Sequence, residues 1–126
     1  MVRQYNLIEV SYDKLPYENI LYALHFYAGT HGEALRVNAE FAISNGLPII
    51  VSEWGTSTAE NANEFYETES KKWIDFLNER KISWINWAFT NEDEATSILK
   101  PKTKTLEDDN LTESGKFIKD LLRNKT

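Results

Sequence analysis

The sequence predicts an α/β chain of three consecutive βα units, and three observations carry that expectation. Short apolar runs alternate with longer amphipathic ones, glycine or proline stands at the boundaries, and no low-complexity segment or fixed-period repeat interrupts the rhythm. Strands separated by helical stretches in this order are expected to be parallel and joined by right-handed crossovers.

Residues 1–18 are polar, contain Pro16 and read as a lead-in segment. "NILYALHFYAG" (19–29) is rich in Leu, Tyr and Phe, stops at Gly29 and predicts the first strand. "HGEALRVNAEFAISNG" follows as a helix with Leu35, Ala39, Ala42 and Ile43 on one face and Gly46 as the stop. Pro48 bars its continuation. "LPIIVSEW" predicts a second strand, short and β-branched, as strands covered on both faces tend to be.

After the polar stretch "STAENAN" the pattern predicts a helix with Phe65, Trp73, Phe76 and Leu77 near its inner face, while Arg80 and Lys81 suit the negative end of its dipole. "ISWINWAF" (82–89) predicts the third strand. The polar run "TNEDEATSILKPKTKTLEDDN" is long for a connection and reads as a functional loop, with "NEDE" and "EDD" as solvated charge. A last helix is expected to be capped near Thr112, with Phe117, Ile118, Leu121 and Leu122 inward.

Length and composition narrow the function. The chain has 126 residues, room for one domain, and its 41% hydrophobic content is enough for a packed core. Twenty acidic residues against fourteen basic ones give net charge −6, which favours neither nucleic acid nor an anionic membrane as partner. No apolar run approaches the roughly 20 residues that span a bilayer, and the first residues lack the apolar block of a signal peptide. Without cysteine there is no disulfide framework and no thiolate metal site. A metal held by His25, His31 and Glu53 would lack any recognised ligand spacing, and no cofactor is implied.

Successive residues on a strand point to opposite faces. Strict alternation groups Leu21, Ala23, His25 and Tyr27 on one face of the first strand, Ile49, Val51 and Glu53 on the second, and Ser83, Ile85 and Trp87 on the third. The opposite faces, with Tyr22, Leu24, Phe26, Ile50, Trp54 and Trp84, are expected to pack under the helices. Ligands gather beyond the carboxyl ends of parallel strands, so His25, Tyr27, Glu53 and Trp87 should meet in one cleft.

A carboxylate there serves as nucleophile or general base, steadied by an imidazole or phenol, and an indole gives a flat platform for the C–H face of a sugar ring. Alternation points Asn86 away from that cleft. Taken singly, each residue has a plainer reading: Glu53 as a salt-bridge partner, His25 as a structural histidine, Tyr27 and Trp87 as core or rim aromatics. Their joint placement is what favours a carbohydrate site. His31, in "GTHGE", reads as a loop or helix-start residue within reach of ligand; the glycines around it lack the Lys-Ser/Thr pair of a phosphate loop.

"YALHFYAGTHG", "PIIVSEWGTS" and "ISWINWAFTNEDEATSILKP" together resemble the C-terminal part of bacterial endoglucanases of glycoside hydrolase family 5, over about residues 19 to 101. The resemblance implies strands six to eight of a (β/α)8 TIM barrel, incomplete as a barrel on its own, so that residues 1–126 form part of a catalytic domain. It implies endo-acting, retaining hydrolysis of β-1,4-glucan without a cofactor, by an enzyme that works outside the cell. By the same resemblance Glu53 is the nucleophile, His25 and Tyr27 steady it, Trp87 stacks under the sugar beside the scissile bond, and Glu94 contacts a more distant sugar.

Two departures stand out. Many relatives carry lysine two residues before that last carboxylate, where this sequence has Glu92, and the "NEP" motif that holds the family's acid/base glutamate does not occur. The chain is therefore expected to contribute the nucleophile half of a site. Its partners are expected to be a β-glucan and either an N-terminal barrel segment or further copies of itself. The alternative is a non-catalytic sugar-binding or self-associating fragment.

Overall fold

A computed structural model of the chain describes residues 6–60 and 64–124. Three parallel strands lie side by side in sequence order: β1 (Tyr22–Tyr27), β2 (Ile49–Gly55) and β3 (Trp84–Asn86). The helices are α1 (Leu7–Tyr12), α2 (Glu33–Ser44), α3 (Glu67–Glu79) and α4 (Glu113–Arg123). The βα order expected from the sequence is therefore the order found.

The boundaries follow from local chemistry. Gly46 takes φ +77, a backbone conformation that costs a side-chain-bearing residue, and closes α2 with bonds from Gly46 N–H to Ile43 C=O and from Leu47 N–H to Ala42 C=O. The same pair of bonds closes α3, from Lys81 to Asn78 and from Ile82 to Leu77, but here Lys81 occupies the left-handed position with φ 54. Arg80 caps that end as its charge suggests, donating to the Phe76 carbonyl at 3.0 Å. Thr112 is the N-cap of α4, its hydroxyl oxygen accepting from Gly115 N–H at 2.9 Å.

One packed layer lies between the sheet and the helices. Phe26 stacks on Trp73 with ring centroids 3.9 Å apart and on Trp54 at 5.4 Å, and all three are fully buried together with Val51, Ala39, Ala42 and Leu77. Large rings such as these remove much apolar area from water, which is the main favourable term in folding.

Strict alternation fails on β2, and the failure is informative. Ala23 pairs with Ile50 but His25 pairs with Glu53, and Val51 pairs with Trp84 while Trp54 pairs with Asn86. β2 thus spends one residue more than each neighbour between those pairs, a β-bulge at Ser52 and Glu53. Contrary to the grouping read from parity, Ile49 and Val51 face the helices along with Trp54, and Ile50 faces away with Glu53. Without the extra residue Glu53 would follow Val51 into the core.

Other corrections are smaller. The polar lead-in contains α1, with Leu7 and Ser11 buried against the domain. The third strand keeps three residues of the eight expected, because Ala88 instead bonds the returning loop through Thr96 C=O and Ile98 N–H. Residues 96–99 of that loop are buried, and Leu99 bridges Leu111. Phe65 precedes α3 and packs edge-on against Phe117, so Ile74 takes the inner position assigned to it. Leu122, expected inward, is 59% exposed.

Candidate active site

At the carboxyl end of the sheet the bulge aims Ser52 and Glu53 to the side opposite the packed layer. The Tyr27 hydroxyl donates to Glu53 Oε1 at 2.5 Å, a charge-assisted bond short enough to fix the carboxylate's orientation. The other oxygen, Oε2, lies 3.8 Å from His25 Nδ1. Both side chains stay partly open, His25 at 38% and Glu53 at 29%, so a ligand can approach.

His25 is itself held. Its Nε2 lies 2.7 Å from Ser52 Oγ. A lone pair on Nδ1 would repel the facing carboxylate, so the favoured tautomer carries its proton on Nδ1, and the Ser52 hydroxyl donates to Nε2. Ser52 is a site residue absent from the sequence reading; strict alternation would leave it on the helix side, only the bulge brings it round to His25, and no local signal in "IIVSEWG" announces one.

Burial holds the Tyr27 phenol well above its ordinary value, helped by the hydrogen bond to Glu53 and by the negative charges of Glu53 and Glu94. The phenol is thus a neutral donor throughout the physiological range. Its electrostatic link to Glu94 puts that carboxylate in the same neighbourhood, on the loop after β3, whereas Glu92 and Asp93 are exposed.

Trp87 follows β3 and is half exposed. Its N–H donates to Trp54 C=O at 2.7 Å, and alternation continued one residue past Asn86 would turn its ring to the face that Glu53 occupies. Asn86 reaches the same carbonyl from the helix side at 3.2 Å, away from the cleft as alternation suggests. His31 stands behind Tyr27, its Nδ1 accepting the Tyr27 backbone N–H at 2.9 Å. Burial lowers the His31 imidazole below its usual range, opposed in part by the Tyr27 backbone.

The sheet therefore brings Tyr27 and Glu53 into a hydrogen-bonded pair with His25 facing the second carboxylate oxygen at 3.8 Å, Trp87 at the end of β3, Glu94 nearby and His31 one step behind. Among the described residues no group of three or more His, Cys, Asp or Glu is arranged to hold a metal, and no helix is long and apolar enough to cross a membrane. A hollow of about 500 Å³ lies elsewhere, between β3 and α4, lined by Ile85, Phe89, Ile98, Leu106, Ile118 and Leu122 among others. It is an apolar flank and not part of the carboxylate group.

The family model for cellulase, glycosyl hydrolase family 5, matches residues 4–93. The chain belongs to glycoside hydrolase family 5. An endoglucanase N of Pectobacterium atrosepticum is 48% identical over 114 residues, covering 88% of this chain and 26% of that protein. An endoglucanase of Clostridium saccharobutylicum is 46% identical over 108 residues, covering 83% of this chain and 24% of the relative. Among solved structures, the cellulase Cel5C_n superposes with a TM-score of 0.89 at 38% identity, covering 96% of this chain and 38% of that one. The chain thus spans about a quarter of the length of the curated family 5 relatives it matches, and its three strands correspond to part of a TIM-barrel cellulase.

Proposed function

We propose that this chain carries the nucleophile of an endo-acting, retaining β-1,4-glucanase, with Glu53 as that nucleophile. The observation that carries the reading is the Tyr27 hydroxyl at 2.5 Å from Glu53 Oε1, which leaves Oε2 as the oxygen available for attack. Glu53 Oε2 adds to the anomeric carbon as the glycosidic C–O bond breaks, giving a glycosyl ester, and water later displaces the ester with the same configuration as the substrate.

Tyr27 and His25 orient the carboxylate, and the exposed Trp87 ring receives the sugar beside the broken bond. Glu94 serves a more distant sugar hydroxyl. The leaving oxygen needs a proton from a second carboxyl group about 5–5.5 Å from the first. That acid comes from barrel strands outside the three described here, so the three strands alone turn over little or no substrate.

The substrate is a β-glucan, and the relatives named endoglucanase support cellulose as the first polymer to try. A polymer of that size is met outside the cell, which favours an extracellular enzyme. The exposed Ile85 and Phe89 and the apolar flank beside α4 favour a complement of further barrel strands over an isolated three-stranded sheet.

The test combines this chain with a separately produced segment carrying the remaining barrel strands and measures hydrolysis of soluble cellulose. Activity should arise only in the mixture and vanish in Glu53→Gln. Hydrolysis that survives this substitution removes Glu53 from the mechanism. Oligosaccharide binding that persists in the chain alone, with no hydrolysis in any mixture, favours instead a non-catalytic sugar-binding fragment.

A further inference from the structure

Tyr27 is bonded at both ends. Its hydroxyl holds Glu53, and its backbone is enclosed by His31: the N–H groups of Thr30 and His31 donate to Tyr27 C=O at 3.0 and 2.8 Å, and the His31 ring turns back so that Nδ1 accepts Tyr27 N–H at 2.9 Å. In a parallel ladder alternate residues bond to a given neighbour. Ala28 N–H donates across to Gly55 C=O in β2, so the Tyr27 N–H points to the outer side of β1, where no described strand lies. His31 Nδ1 takes that N–H itself.

His31 is anchored in turn. Its carbonyl accepts from Trp73 Nε1 at 2.7 Å, and Trp73 is fully buried against Phe26. A continuous line of bonds runs from the core indole through His31 and Tyr27 to the carboxylate.

We propose that His31 is a positioning residue, whose ring nitrogen pins the Tyr27 backbone at the outer side of β1 so that the phenol stays in bonding range of Glu53. Its consequence for catalysis rests on Glu53 being the nucleophile; its geometric part does not. An acceptor at Nδ1 requires a neutral imidazole with the proton on Nε2. The sequence suggests ligand contact for His31, whereas the structure gives its Nδ1 to the backbone. With that acceptor gone, the Tyr27 N–H turns to water, and a phenol bound at 2.5 Å has little latitude before the bond opens.

The experiment is NMR on the full chain with tyrosine labelled at 13Cζ. The Tyr27 signal is identified by its loss in Tyr27→Phe, and its displacement by the carboxylate is measured against Glu53→Gln. In His31→Ala the Tyr27 signal should move toward its Glu53→Gln position, and the Tyr27 amide should exchange ~10-fold faster or more. His31→Asn, whose Oδ1 stands about where Nδ1 does, should keep both at wild-type values. His31→Gln preserves bulk but sets its polar atoms one bond farther out, and it replaces the alanine variant if circular dichroism shows the latter unfolded. An unmoved Tyr27 signal in folded His31→Ala or His31→Gln overturns the proposal, as does equal loss in His31→Asn.

In the complemented barrel, His31→Ala should lower kcat by about tenfold or more with KM little changed. If Glu53→Gln keeps wild-type kcat, the nucleophile assignment fails while the NMR result still decides the role of His31.

Discussion

Gly55 ends β2 two residues after Glu53, and a methyl group placed there has nowhere to go. Its Cβ would lie 2.5 Å from both Cδ1 and Cε1 of Tyr27 and 3.0 Å from Cγ2 of Thr96. Carbon atoms in contact prefer about 3.5–4.0 Å, so the ring must retreat by roughly 1 Å. Tyr27 pivots about its own Cβ, and the hydroxyl, farther from the pivot than the struck atoms, moves at least as far. A bond of 2.5 Å to Glu53 Oε1 then passes beyond hydrogen-bonding distance.

Gly55→Ala should therefore cost about 1–3 kcal/mol for the overpacked contact and about 1.5 kcal/mol more for the lost charge-assisted bond. The two are read together as a lower denaturant midpoint with unchanged slope. The 13Cζ signal of Tyr27 should shift as it does in Glu53→Gln, and in a complemented barrel hydrolysis should fall ~100-fold. A variant within about 0.5 kcal/mol of wild type, with the Tyr27 signal in place, would show that the ring is not confined as described.

Gly115 provides the contrast, since a Cβ there would stand 2.1 Å from the carbonyl oxygen of Ile98, and backbone cannot swing aside as a ring can. Gly115→Ala should cost more than Gly55→Ala, upwards of ~3 kcal/mol, in the same denaturation series, with no selective change at Tyr27. The pH dependence follows from His31, whose folded imidazole is lowered by burial. A lowered value means that the unfolded chain binds the proton first, so the His31 contribution is complete above the ordinary value of about 6.5 and is lost as pH falls through the lower folded value. Denaturant midpoints of wild type should therefore drop between pH 7.5 and pH 5 by more than those of His31→Asn, and equal drops would remove His31 as the cause.

What could be read in advance was whatever has a local cause. Gly46 announces the end of α2 because that closure needs a left-handed residue, and Thr112 announces the start of α4 because its hydroxyl can take an orphan N–H. The convergence of His25, Tyr27 and Glu53 is legible too, in that they stand at the ends of their strands.

The unreadable parts are those that depend on a neighbour. Nothing in "IIVSEWG" tells that β2 must take an extra residue to keep step with both partners, so strict alternation groups Val51 with Glu53 and gives no sign of Ser52. Lys81 occupies a position where glycine would be expected, so its left-handed turn gives no signal. "ATSILK" looks like loop because its burial is set by Ala88, Thr90 and Leu111, which pair with it from elsewhere in the chain. A helix of six residues, as in α1, is too short to show a period.

The extra residue in β2 also makes the spacing between Val51 and Trp54 indivisible. Removing one residue there would not merely shorten the ribbon: either the indole would rotate out of its stack with Phe26 or the acid would rotate into it. A change of length is therefore tolerable only in the connections, and the one segment whose count is fixed, though not its residue types, is the four-residue step that keeps greasy and polar side chains on their own sides.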